Sequence, residues 1–370
     1  MNMSFHYKYF FNNSDENEYC WMHDESDLKF SSLRENETFT SIKYLPKWFT
    51  IAGRTYAHLV CYSGLVLNFL IATALLRNRN LRKESLTPCV LSINFANIFL
   101  YICGLGYKLS KYVLSPKTQT RCHTFGMAGF VMMLCSAANL FAIASLRCVK
   151  FNCAKKFENE TFKIASVLTA ITSWIAACLV VMPTAIGVWG QFGWECKSKR
   201  CRFINRNNDG IQLTTEPEKM YYILLILMGI VSLLMNLGTY VKVKEDCKKL
   251  LSEIEDFDQG AAASILNKEK RATLMLVIDT AQYLICFLPK AILHLKDPDS
   301  PNKEPLTHLI FFTLWYTSGL IEAVVILSFQ KKYRNEIKTL FQFICPFAKQ
   351  QSIPCDSRTS KIRMLECRKR

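Results

Sequence analysis

The sequence predicts an all-α membrane protein, a bundle of seven transmembrane helices followed by a short amphipathic eighth helix. Three observations carry that expectation. Half of the 370 residues are apolar, and they gather into seven long blocks. Only 14 Gly and 11 Pro are present in the whole chain. The 46 Lys and Arg, which give a formal net charge of +16, fall mostly between and after the blocks. So much apolar surface excludes disorder for most of the chain. No internal repeat of the kind that builds a solenoid is visible.

Residues 1–52 form a hydrophilic segment ahead of the first block. A bilayer core about 30 Å thick needs roughly 20 apolar helical residues. The blocks Tyr56–Leu76, Leu86–Tyr107, Phe125–Leu146, Ile164–Trp189, Met220–Val241, Ala272–Leu295 and Leu306–Phe329 all qualify, within a bundle spanning 53–329. The first five contain no Asp, Glu, Lys or Arg, which soluble core helices of that length rarely achieve. The sixth carries Asp279 and Lys290, and the seventh carries Glu322. Between the fifth and sixth, Lys242–Arg271 balances seven bases against seven acids. Helix extensions flanking a mobile turn at Gln259–Ala263 are expected there. Past the seventh block, Tyr333, Ile337, Leu340, Phe341 and Ile344 recur at helical spacing opposite Lys331, Lys332, Arg334 and Lys338. That pattern is an interfacial amphipathic helix over 330–346. Cys345 beside it is a candidate palmitoylation site, and 347–370 reads as a basic, disordered cytoplasmic tail.

Lys and Arg accumulate on the cytoplasmic side of membrane proteins. Segments on the C-terminal side of the blocks hold 27 of the 46 bases, while the first fifty residues hold eight acids against five bases. The N-terminus is therefore expected outside and the C-terminus in the cytoplasm, in the plasma membrane. Asn2, Asn12 and Asn36 head glycosylation sequons on the outer side. The N-terminus lacks the charged start and apolar core of a signal peptide, so the first span is expected to act as the insertion signal. The basic excess is thus membrane-flanking and calls for no nucleic acid. Of sixteen cysteines, Cys20, Cys122, Cys196 and Cys201 fall outside, consistent with two disulfides and three pairings. No P-loop, metal spacing or converging Ser, His and acid points to an enzyme.

In order along the chain stand Gly64 and Asn68, then Cys122 with Arg147 twenty-five residues later, then Trp174 and Pro183. Cys286, Phe287, Leu288 and Pro289 follow, and Lys331 to Arg334 close the series. These landmarks resemble a rhodopsin-like G-protein-coupled receptor over about Gly53 to Cys345. Trp189 to Trp194 ahead of Cys201, with the Cys286–Pro289 motif, is similar to the melatonin-like and insect Moody-type branch. The chain is a divergent example. Leu146 replaces the acid before the helix-three arginine, and Asn97 replaces the second-helix Asp. The seventh-helix motif falls on Glu322 to Ile326, and the fifth-helix proline is absent.

The resemblance implies roles for these positions. Arg147 and Glu269, which lies twenty residues before Pro289, would form a cytoplasmic switch. The bland alternative is an arginine that snorkels to the headgroups. Asn68, Asn97, Ser136, Asp279 and Glu322 would form a buried polar cluster near Asn139. There Asp279 and Glu322 would share one sodium ion or one proton, unless Glu322 is simply neutral. No other cofactor is expected. In amine receptors an Asp lies eighteen residues before the helix-three arginine. Gly129 stands there, which argues against a monoamine. Instead Lys108, Lys111, Lys117 and Arg121, with Lys290 and His294 beneath, suggest an anionic lipid, a fatty acid or an acidic peptide. Phe130 and Phe287 would line the same cavity. A Cys122–Cys201 disulfide is implied, with Cys20–Cys196 as the second and a Cys196–Cys201 hairpin as its competitor. The expected function is transduction of an extracellular ligand to heterotrimeric G proteins, with arrestin and membrane lipids as further partners. A non-signalling scavenger or a partner subunit of another receptor is the rival.

Overall fold

The structure is a computed structural model. It describes residues 47–113, 122–152, 159–189, 191–195, 200–207, 210–213, 216–253, 259–296 and 305–344. Cys20, Cys196, Cys345, Lys117, Arg121 and the sequons at Asn2, Asn12 and Asn36 lie outside these residues, as do the side chains of Lys108, Lys111 and Cys201.

Seven long helices appear in the expected order: α1 (Lys47–Arg77), α2 (Thr87–Val113), α3 (Met127–Asn152), α4 (Asn159–Ala185), α5 (Glu216–Glu253), α6 (Gln259–Lys296) and α7 (Pro305–Phe329). The amphipathic α8 (Lys331–Ile344) follows after one residue. Six of the helices are long and apolar enough to cross a membrane, and α7 contributes the shorter apolar stretch Thr313–Phe329. The helices close a ring. α1 packs on α2, α2 on α3, α3 on both α4 and α5, α5 on α6, α6 on α7, and α7 back on α1. Many large apolar side chains, among them Phe69, Leu179, Leu234 and Ile285, stay exposed on the outside of the ring. In a membrane protein those faces meet lipid, which is as apolar as they are.

Two features depart from the sequence expectation. Gln259–Ala263 is not a turn, because α6 already begins at Gln259. The three alanines there are the best helix formers, and a single Gly260 among them costs only about 1 kcal/mol. Second, an antiparallel sheet of three short strands joins α4 to α5: β1 (Gln191–Glu195), β2 (Arg200–Asn207) and β3 (Gly210–Leu213), in the order β1-β2-β3. Strands this short give little alternating pattern to read. α4 ends just before it for a clear reason. Gly187 takes the left-handed conformation (φ 79), and the Pro183 carbonyl accepts the N–H of Val188 at 2.8 Å. An L-side chain would be strained at that φ.

The sheet packs over a single π-helical turn, Cys122–Gly126, which leads into α3. Cys122 is fully buried and disulfide-bonded. In β2, Cys201 stands opposite Trp194 of β1. The sheet marks one end of the bundle and α8 marks the other.

Candidate functional site

Three groups of polar side chains lie along the bundle, one at each end and one between.

At the α8 end, Arg147 of α3 donates from Nη2 to Glu269 Oε2 on α6 at 3.1 Å. The Arg147 side chain is 7% exposed and that of Glu269 39%. The Phe151 ring lies 5.9 Å from the guanidinium carbon. A guanidinium so covered does not snorkel to headgroups. It ties two helices that both pack on α5.

In the middle, Asn97 of α2 donates from Nδ2 to Glu322 Oε2 of α7 at 2.8 Å. The same amide lies 3.5 Å from Asn68 Oδ1. Asn68 Nδ2 in turn donates to the carbonyls of Gly64 (2.8 Å) and Gly319 (3.2 Å), which joins α1 to α7. Asp279 of α6 is 3% exposed, receives Gln282 Nε2 at 3.4 Å, and interacts electrostatically with Glu322. Ser136 and Asn139 of α3 are buried as well. Asn139 spends its amide on the Cys135 carbonyl of its own helix. Its Oδ1 and the Tyr283 hydroxyl have no hydrogen-bond partner among the described residues. So α7 brings Glu322 to Asn97 of α2, with Asp279 of α6 interacting electrostatically, whereas among the described residues no hydrogen bond draws Ser136 in.

At the sheet end, Lys290 is 8% exposed. Its Nζ lies 4.0 Å from the Trp315 ring centroid on α7 and 6.0 Å from that of Tyr222 on α5. Tyr222 stacks on His294 at 5.2 Å and tilts against Phe287 at 5.7 Å. His294 Nδ1 is 3.2 Å from Glu218 Oε1, and both side chains are buried. Lys290 and His294 are therefore buried, and each already has neighbours. Phe130 faces Tyr221 at 5.9 Å. A Cβ at Gly129 would meet only Leu100 of α2, at an ordinary contact distance of 3.8 Å.

Glu218 was not legible as a site residue. An acid in the first turn of a helix ordinarily serves the helix dipole, and α5 carries Glu216 and Glu218 there. Only the placement of His294, seventy-six residues later, shows which acid is buried.

The sequence pattern of the 7 transmembrane receptor (rhodopsin family) matches residues 67–320. The chain belongs to that family. Among curated relatives of this rhodopsin-family receptor, Protein trapped in endoderm-1 of Drosophila melanogaster is 19% identical over 76% of this chain and 75% of its own length. The 5-hydroxytryptamine receptor 5B of Rattus norvegicus is 21% identical over 60% of this chain and 65% of its own length. Squid rhodopsin shares the fold of the receptor with a TM-score of 0.63 at 14% identity, over 82% of this chain and 88% of that one.

Proposed function

We propose that this receptor binds an extracellular ligand at the sheet end and activates heterotrimeric G proteins at the α8 end, through two alternative packings of α3, α6 and α7. The observation that carries the reading is the Arg147–Glu269 pair at 3.1 Å, a removable tie between α3 and α6. The reading includes an N-terminus outside the plasma membrane, glycosylated at Asn2, Asn12 and Asn36. It also includes a cytoplasmic tail palmitoylated at Cys345, arrestin as a second partner, and a Cys122–Cys201 disulfide. The 5-hydroxytryptamine in one relative's name does not transfer, since Gly129 offers no carboxylate for an amine. Lys290 among Trp315, Tyr222 and Phe287 supports a ligand with an anionic head and an apolar body instead. The buried cluster of Asn97, Asp279 and Glu322 supports a sodium ion or one shared proton held between the two carboxyls. A screen of anionic amphiphiles, read by both cAMP and calcium, tests the whole reading.

The rival is a seven-helix scavenger or partner subunit that binds ligand without signalling. Leu146 before Arg147 and the altered Glu322–Ile326 stretch favour it. Ligand binding with no G-protein or arrestin response would establish the rival.

A further inference from the structure

The short connection from α1 to α2 and the face of α8 form one built surface. Asn78 Oδ1 accepts the backbone N–H of Asn80 (2.9 Å) and Leu81 (3.3 Å), which caps the helical turn Arg79–Arg82. Leu81 is buried from that turn into a cluster with Leu75, Ile326, Tyr333, Ile337 and Leu340. Thr87 Oγ1 pins it by donating to the Leu81 carbonyl at 2.6 Å. The underside of the connection and the apolar face of α8 thus share one core. Burial and the nearby Glu84 push the Tyr333 phenol up.

Two acids lock the pieces together. Glu336 accepts from Asn78 Nδ2 at 3.0 Å and lies 3.9 Å from Arg77 Nε. Glu84 accepts from Lys332 Nζ at 2.6 Å. These are the only acids in 77–84 and 331–344, and both are engaged. Arg79, Arg82 and Lys83 of the connection and Lys331 and Lys338 of α8 all face outward. Phe341, 52% exposed, stands beside them on α8.

We infer that this face is a binding site for a multiply charged anionic lipid headgroup, a polyphosphorylated inositol lipid in the leaflet at the α8 end. The position of the cations at the ends of two spans, on an amphipathic helix with an exposed aromatic ring, places them at headgroup depth. Clusters of this size at such a place attract polyanionic lipids. Arg79 and Arg82 add the planar fork that matches phosphate oxygens. Their exposure does not arise from a floppy loop, because a cap, a core residue and two ion pairs hold it. The cytoplasmic placement of such a lipid rests on the orientation proposed above, but its binding does not require coupling or any other ligand.

The test uses the full chain in phosphatidylcholine nanodiscs containing a few per cent of fluorescent phosphatidylinositol bisphosphate. A parallel set has phosphatidylserine at matched total charge. Because a nanodisc offers lipid to both ends, its outcome is independent of orientation and signalling. Saturable binding of the phosphoinositide is expected, with at least about tenfold loss in R79Q/R82Q/K83Q and a severalfold loss in K331Q/K338Q. Lys219→Gln at the opposite end leaves it unchanged. The α8 double variant decides the matter should the triple variant fail to fold. Undiminished binding in the folded variants, or equal binding of phosphatidylserine at matched charge, overturns the site.

Discussion

Arg147 holds Glu269 across the gap between α3 and α6, and Leu146 beside it offers no competing carboxylate. Arg147 therefore has one acidic partner among the described residues rather than two. A pair with one partly exposed partner contributes about 0–1 kcal/mol after solvent screening, so in the proposed mechanism it would bias the equilibrium between packings without fixing it.

Glu269→Ala should accordingly raise ligand-independent signalling by up to roughly fivefold, the factor that about 1 kcal/mol yields. Basal cAMP and calcium, normalised to surface expression, measure this. A receptor that couples to a ligand yet shows unaltered basal output in this variant would argue that the pair is only structural.

Glu322→Gln keeps an oxygen that can accept from Asn97 Nδ2, now at 2.8 Å, and removes the carboxyl that would share a sodium ion or proton with Asp279 in the proposed reading. Stability should change by less than about 1.5 kcal/mol, the scale of one net hydrogen bond. Any dependence of signalling on sodium or on pH should disappear. Titrating the response against NaCl in wild type and variant gives the answer. Persistent dependence in the variant would remove Glu322 from that role.

How much of this was legible in advance differs by layer. The helices followed from block length and the absence of charge, because a bilayer leaves few other solutions. Arg147, Glu269, Asn97 and Glu322 were singled out because they fall at the spacing of the family's motifs, and Glu322 also because it is a charge inside an apolar block. The Glu218–His294 and Glu336–Asn78 pairs were not. Each depends on how two elements meet, and neither partner stands out in its own segment. The sheet was hidden too, being short and held in place by the π turn beneath it.

Lys290 sits on Trp315 at 4.0 Å, a cation–π contact worth about 0.5–2 kcal/mol. Lys290→Gln should weaken an anionic amphiphile such as dodecyl phosphate by about tenfold or more, the scale of one charge-assisted hydrogen bond. Dodecanol should bind both forms alike. Displacement assays with the two compounds check this, and equal loss for both would show that the lysine acts only through packing.

A Cβ at Gly64 would collide with the Tyr101 ring, whereas at Gly238 it would meet nothing within 4 Å. Tyr101 is fully buried, so its ring has nowhere to retreat. Gly64→Ala should destabilise by about 1–3 kcal/mol through overpacking. Gly238→Ala should be neutral or gain up to about 1 kcal/mol from helix propensity. Thermal unfolding of the detergent-purified proteins separates the two. Matching midpoints would mean that α1 and α2 can part at that point.

That close fit has a mechanical consequence. Tyr101 fills the gap left by Gly64 and Gly319, and its hydroxyl donates to the Tyr316 carbonyl at 3.3 Å, while Asn68 ties Gly64 to Gly319. The Tyr101 ring is wedged between these backbones with no slack around it. α1 and α2 therefore behave as a single anvil that grips α7 at Tyr316 and Gly319, and the repacking proposed for α3, α6 and α7 falls to the segments beyond that grip.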